Sequence, residues 1–377
     1  MKIENWENKK TILYSLKAPV KLAVRPSQIE ENQNYRSAFM RDRDRILYSK
    51  AFRRLSGKTQ VYLSGSDDHK RRLTHTLEVA QIAKTIAQNL KLDVDLTEGI
   101  ALGHDIGHTP FGHAGERMLH QIMTPSQNGY VIGSPYDNIC NGEYTKFYGF
   151  KHNLQSVCVA LSQEKDYGNT GLDLTNFTLY GMIAHSSLKY KSDVDENSLK
   201  YYEQYNKYLK LPDSDNFAWS FEAYVVKEAD EIAQRHHDIE DAIRGNLLSK
   251  EEVVKQIKSY FKQFFHANER KLLREISNTY DEETSITLLS RLLVNLFVTQ
   301  ITKCSIHNIN KFIVENNLNE KKFREFLLRN SQPDVNRIIS YDYLDDDSLF
   351  KKAMKEFENS ISTRVLSSYD IQKSDAR

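Results

Sequence analysis

Residues 101–116 read Ala-Leu-Gly-His-Asp-Ile-Gly-His-Thr-Pro-Phe-Gly-His-Ala-Gly-Glu, which packs His104, Asp105, His108, His113 and Glu116 into one short stretch. The run from Ile100 to Asp105 reads as the end of an apolar helix. Gly107 reads as its C-terminal stop, because glycine tolerates the left-handed turn. Thr109-Pro110-Phe111-Gly112 is then a tight link, with a second helix starting near His113. His113 and Glu116, three residues apart, share a face of that helix. His104 and Asp105 point roughly 100° apart around a helix. At a helix end they can still converge on one cation, as the mixed nitrogen and oxygen donors that divalent metals accept. The remaining donors must come from elsewhere in the chain.

The rest of the sequence reads as helices that can carry them. The chain has 15 glycines and 7 prolines in 377 residues, which favours long helices over many turns and short strands. Helix 74–90 presents Leu77, Ala80, Ala83, Ala87 and Leu90 as a stripe widened by Val79, Ile82 and Ile86, with His75 in its first turn. By itself such a histidine is ordinarily a packing residue. Helix 150–164 starts at His152, and 171–185 packs Leu172, Leu174, Leu179, Met182 and Ile183. Helix 219–245 sets Asp230 among Val226, Ala229 and Ala233, and a carboxylate there is costly to bury unless a cation or metal pairs with it. Gln234, His237 and Asp238 follow at i+4, i+7 and i+8 as a polar ridge that packing alone does not explain. From 250 to 377 the pattern stays amphipathic and helical, over 253–265, 272–276, 286–298, 323–328 and 349–357. Residues 124–149, 187–216 and 342–347 read as a long loop, a polar excursion and an acidic loop.

Three cysteines (Cys140, Cys158, Cys304) and no Cys-x-x-Cys pair argue against a disulfide scaffold or a cysteine zinc site and suit a reducing cytoplasm. The N-terminus has no apolar signal core, and no run of about 18 apolar residues is expected to span a membrane. Formal net charge is +1, so any preference for anions is local. It is local: residues 36–72 hold eleven Lys/Arg against four Asp. The alternating Arg-Asp-Arg-Asp-Arg at 41–45 reads as a solvated helix face with i,i+4 pairing. Arg53, Arg54, Lys58 and Lys70-Arg71-Arg72 instead bracket an extended Thr59-Gln60-Val61-Tyr62 and end just before His75. A substrate with several phosphates needs such donors beside a metal.

His75, His104-Asp105 and Asp230 stand in the H…HD…D order of the HD-domain metal-dependent phosphohydrolases. Four words resemble the deoxynucleoside triphosphate triphosphohydrolases, the dGTPase-like branch, over roughly residues 36–245. They are Arg53-Arg54-Leu55 with Lys58-Thr59-Gln60-Val61; Arg72-Leu73-Thr74-His75; Gly103 to Glu116; and Ala229-Asp230-Glu231-Ile232-Ala233 followed by His237-Asp238-Ile239. The resemblance implies that His75, His104, Asp105 and Asp230 hold one divalent ion. Mn²⁺ or Mg²⁺ is expected, with Co²⁺, Ni²⁺, Zn²⁺ or Fe²⁺ as further options. It implies a catalytic His113–Glu116 dyad, a further active-site histidine at His152, a phosphate-binding Arg72, Gln60 near the sugar and Asp238 reading the 3′-hydroxyl. Two positions depart from the family pattern. Gln234 stands where many relatives carry a sugar-packing tyrosine, and Ala184-His185 stands where they often read Lys-Tyr, with His185 as a substitute phosphate contact or a packing residue.

The expected fold is all-α. It comprises an N-terminal segment (1–35), a helical HD core (36–245) and a helical C-terminal region (246–377). The expected reaction converts a dNTP and water to deoxynucleoside and inorganic triphosphate. The same resemblance implies a homo-oligomer, often a hexamer, and a dNTP that acts as effector as well as substrate. A nucleotidase releasing orthophosphate, or a nucleotide-sensing oligomer with little turnover, are the competing readings. Single-stranded nucleic acid is a secondary partner class, although the basic segment lacks interleaved aromatics.

Overall fold

The computed structural model describes residues 11–28, 35–58, 71–123, 150–165, 167, 170–186, 203–344 and 349–366. The side chains of 113–114, 121–123, 203–204 and 362–366 lie outside that description. Gln60 with the extended 59–62 segment, and the 124–149 loop, also fall outside it. Among the described residues the fold is all-α, with no strand longer than an isolated bridge between Lys210 and Phe217.

Short polar caps start most of the helices. Ser37 opens α1 (Ala38–Tyr48) by accepting from the Met40 N–H, and Ser49 opens α2 (Lys50–Arg54) in the same way. The long α3 (Arg72–Asn89) follows, then α4 (Val94–Gly103), capped by Asp93. After the 104–111 turn come α5 (Gly112–Met123), α6 (His152–Cys158), which runs on into a π-helical turn at Val159–Gln163, and α7 (Asn176–Ala184). Ser220 caps α8 (Phe221–Arg244), the longest helix of this half. Helix α3 packs between α4 and α8; α4 also carries α1, and α7 lies against α4, α6 and α8. The shared core is filled by Val79, Ala83, Ile86, Ile100, Phe177, Met182, Val226, Ala229 and Ala233. Leu77, expected on the buried stripe of α3, is instead 50% exposed.

The C-terminal region comprises α9 (Lys250–Phe261), α10 (Ala267–Asn278), α11 (Glu282–Glu315), α12 (Glu320–Arg329), α13 (Val335–Ile338) and α14 (Leu349–Leu366). Helix α11 is long and apolar enough, by length and composition alone, to cross a membrane, which the sequence reading did not anticipate. Here it is a core helix: Leu289, Leu293, Leu296, Phe297 and Ile301 are buried, and it packs on α8, α10 and α3. Edge-on and stacked rings of Trp219, Phe221, Phe312 and Phe323 join the two halves.

Residues 11–25 form a strap across both halves. Leu13 donates its N–H to Asn310 Oδ1 (2.8 Å), Ala18 to Glu222 Oε1 (3.0 Å) and Val24 to Asn176 Oδ1 (3.1 Å). Ile12 and Leu16 are buried. Glu222 is fully buried, and burial pushes its carboxyl up to about 7 although the Asp93 and Ala18 N–H groups both donate to it.

The 41–45 repeat is not a solvated face. Arg41, Asp42 and Arg45 are buried. Asp42, at 0% exposure, accepts from Arg25 (2.7 Å), from the Thr175 N–H (2.9 Å) and from the hydroxyls of Thr175 and Thr178 (2.6 Å each). Arg45 meets the Asp173 carboxylate at 3.0 Å. Only Arg43 and Asp44 keep the expected half-exposed character, with Arg43 on Asp95 at 2.6 Å. The partners Arg25, Asp173 and Thr175 lie too far along the chain for local pairing rules to find them.

Candidate metal centre

The turn between α4 and α5 is shaped by close packing. Gly107 keeps an ordinary negative φ; the left-handed residues are Phe111 (φ 63°) and Gly112 (φ 56°). What requires glycine at 107 is α6: a Cβ there would lie 2.2 Å from the Ser156 nitrogen. Ser156 in turn donates its hydroxyl to the His104 carbonyl (2.7 Å) and accepts from the Gly107 N–H (3.0 Å). The end of α4 and the start of α6 are thereby locked together.

Three helices deliver the donors. His75 comes from the first turn of α3, His104 and Asp105 from the end of α4, and Asp230 from the middle of α8. His75 Nε2 lies 2.9 Å from Asp230 Oδ1, His104 Nε2 lies 3.8 Å from the same oxygen, and His104 Nε2 lies 3.5 Å from Asp105 Oδ2. His104 Nδ1 donates to the Ala101 carbonyl at 2.6 Å, which fixes the tautomer and leaves Nε2 as a lone pair. That Nε2 is buried and has no hydrogen-bond partner. An orphaned buried nitrogen facing a carboxylate and a second imidazole fits a cation, and the ligand atoms of His75, His104 and Asp230 lie within 4.8 Å of one another. Burial raises the carboxyl of Asp230, but the hydrogen bond from His75 and the neighbouring His104 outweigh it and hold the group well below the usual range.

Arg72, also buried, donates to Asp105 Oδ2. Burial again works against ionisation of Asp105, and Arg72 and His104 overcome it, so this carboxylate stays charged. Arg72 thus touches the centre directly.

A second group adjoins it. Glu116 Oε1 accepts from both the backbone N–H and Nδ1 of His152, at 3.1 and 2.9 Å. His152 Nε2 lies 3.3 Å from His185 Nε2, and His185 donates Nδ1–H to the Met182 carbonyl at 2.8 Å. With both Nδ1 atoms donating, a hydrogen bond between the two Nε2 atoms needs one further proton. Burial pushes His185 down to about 3, with His104 and His152 adding to the effect. A hydrogen bond there would share that proton between the two rings, with the Glu116 carboxylate on the His152 side. His108 stacks on His152 with ring centroids 4.7 Å apart, and burial pushes it down to about 3. Lys58 donates to the His108 carbonyl at 2.5 Å, its own pKa lowered by burial.

The structure thus brings together His75, His104, Asp105, Asp230, Arg72, Glu116, His152 and His185. His113 sits in the first turn of α5, with its side chain outside the described residues, so Glu116 is seen with His152 rather than with His113. Gln234 is half-buried and Asp238 exposed on α8, one and two turns beyond Asp230, and Arg53 is exposed on α2. Sequence reasoning gave no role to His108; its place inside the 101–116 stretch was the available signal.

Residues 72–141 match the HD domain family. The donor set that this stretch shares with α8 is one suited to a divalent ion. Over 61% of its length the chain is 41% identical to a deoxyguanosinetriphosphate triphosphohydrolase-like protein of Clostridium tetani, covering 53% of that protein. Proteins of the same name from Caldanaerobacter subterraneus and Rhizobium meliloti are each 42% identical, over 60% and 59% of this chain and 52% and 50% of theirs. The chain spans about half the length of the curated relatives it matches.

Proposed function

We propose that this chain is a metal-dependent triphosphohydrolase that converts a deoxynucleoside triphosphate, dGTP-like, and water to the deoxynucleoside and inorganic triphosphate. The observation that carries the reading is the orphaned His104 Nε2 among His75, Asp105 and Asp230, with the Glu116–His152 pair alongside. His75, His104, Asp105 and Asp230 would hold one divalent ion, Mn²⁺ or Mg²⁺ by resemblance. Imidazole donors favour a transition metal, so Co²⁺, Ni²⁺, Zn²⁺ and Fe²⁺ remain compatible. Such an ion supplies Lewis acidity and an acidified water at the α-phosphorus.

The chain's own groups supply the rest. Arg72 keeps Asp105 ionised and brings a fixed guanidinium next to the centre, suited to a phosphate oxygen. His152, held by Glu116, is placed as a proton donor for the departing 5′-oxygen, and proton transfer of this kind contributes about 10²–10⁴-fold. His113 is the alternative donor implied by the resemblance. His185 sits against His152 and His104, which makes it a positioning group for both. Gln60, Arg53, Gln234 and Asp238 are proposed substrate contacts on the resemblance alone. An oligomer, with a dNTP also acting as effector, belongs to the same proposal, as does the HD core at 36–245.

Product analysis tests it. The purified protein with Mn²⁺ is incubated with each dNTP singly and with all four together, and nucleosides and phosphates are resolved by anion exchange. Deoxynucleoside plus triphosphate is the expected result, and turnover only in the mixture would add effector activation. Orthophosphate with a dNDP or dNMP would replace the reading with a nucleotidase. Intact metal without turnover would replace it with a nucleotide sensor.

A further inference from the structure

Beside the first centre lies another set of metal-type donors. His236 and His237 follow one another on α8, with ring centroids 4.2 Å apart, and the His237 ring lies 5.4 Å from that of His75. Both imidazoles present Nε2 to the same oxygen of Glu78 on α3. His237 is hydrogen-bonded to Glu78 Oε2, and His236 Nε2 lies 3.4 Å from it. The two histidine side chains are 8% and 1% exposed, and Glu78 is 35% exposed.

Consecutive helical residues point about 100° apart, so bringing both rings onto one carboxylate oxygen fixes several side-chain torsions. One hydrogen bond from His237 would already satisfy that oxygen. His236 adds a second buried imidazole whose Nε2 is aimed at the same oxygen, which a single hydrogen bond does not require. Among the described residues no lysine or arginine pairs with Glu78; the groups facing its carboxylate are these two rings.

The spacing of His236 from Glu78 suits shared coordination, while His237 holds Glu78 by a hydrogen bond. Nitrogen and oxygen ligands bound at about 2.0–2.1 Å in a tetrahedron lie about 3.3 Å apart. The His236–Glu78 separation of 3.4 Å matches that and is long for a hydrogen bond. All three ligand atoms lie within 4.8 Å of one another. At His237 an ion would take the place of the shared proton, so binding releases a proton. Two histidines and one glutamate form a donor set that zinc-type ions accept, with a further position left for water on the exposed side of Glu78.

We infer that Glu78, His236 and His237 hold a second divalent transition-metal ion, separate from the one assigned to His75, His104, Asp105 and Asp230. Imidazole-rich ligation selects Zn²⁺ or Co²⁺ over Mg²⁺.

The test counts metal. Full-length protein is stripped with chelator, loaded with Co²⁺ and dialysed; bound metal is measured by mass spectrometry, with the visible cobalt spectrum as a second readout. Wild type should bind two equivalents. His236→Ala should bind one, and so should Glu78→Gln, a milder change that keeps the inference testable if the first variant fails to fold. His104→Ala should lose the first ion and keep the second, with its spectrum. One equivalent in wild type and in both His236→Ala and Glu78→Gln would overturn the second site and leave the first standing. Two equivalents retained in His236→Ala and Glu78→Gln would also overturn it. No metal in wild type would overturn both assignments.

Discussion

Two charged clusters are buried within the same half of the molecule, and they end differently. Around Asp42, both carboxylate oxygens are engaged: Arg25, Thr175 and Thr178 donate to them, while Arg45 closes on Asp173. Around Asp230 the donors are left open, with His104 Nε2 unpartnered and two imidazoles facing one oxygen. Burial taxes both clusters alike. The closed one returns its cost as a fixed junction between α1, α7 and the strap, whereas the open one presents donors of the kind a cation takes. Satisfaction of hydrogen bonds, rather than charge or depth, separates the structural cluster from the functional one.

That contrast can be broken by mutation. The largest effect is expected for Asp230→Ala, which should remove the bound metal and turnover together while the metal-free protein unfolds at nearly the wild-type temperature. Full activity in this variant would sink the metal assignment. Asp42→Ala should do the reverse, costing about 3–5 kcal/mol of stability by removing the buried carboxylate that Arg25, Thr175 and Thr178 bond to, as read by denaturant unfolding. Metal content per folded chain should be unchanged.

A pH prediction probes a third buried acid, Glu222. Its carboxyl is raised by burial to about 7, so the folded state holds a proton that the unfolded chain releases near 4.5. Stability from this group is therefore full below about 4.5 and is lost as pH rises towards 7, a change of about 3 kcal/mol by linkage. Comparing unfolding free energies at pH 5 and 7 should show that slope in wild type and flatten it in Glu222→Gln. An identical slope in the two proteins would refute the assignment.

The smallest expected effect sharpens the comparison inside the site. Glu116→Gln should lower turnover about 10²-fold by weakening the carboxylate contact that holds His152, with metal content intact. Simultaneous loss of metal would show that Glu116 supports the ligands instead.

The sequence carried the donors but not their surroundings. His75, His104, Asp105 and Asp230 are visible because each sits in a distinctive local word, and helix periodicity places α3 and α8 with ends displaced by a residue or two. The Asp42 network is not legible in local sequence because Thr175 and Thr178 lie more than a hundred residues from Asp42, as Asp173 does from Arg45. Gly107 was identified as special for the wrong reason: its constraint is the approach of Ser156, which no one-dimensional pattern reveals. The Glu116–His152 contact is likewise a long-range pairing, across 36 residues. His236 is exposed as a donor only when α3 brings Glu78 opposite it.

The strap has a temporal consequence. Leu13 is hydrogen-bonded to Asn310, 297 residues later in the chain, and Ala18 to Glu222, 204 residues later. At a synthesis rate of about 5–20 residues per second, on the order of 15–60 s separate the emergence of Leu13 from that of its partner. Leu13 and Ala18 are made long before the residues that hold them, so the strap closes the fold instead of nucleating it.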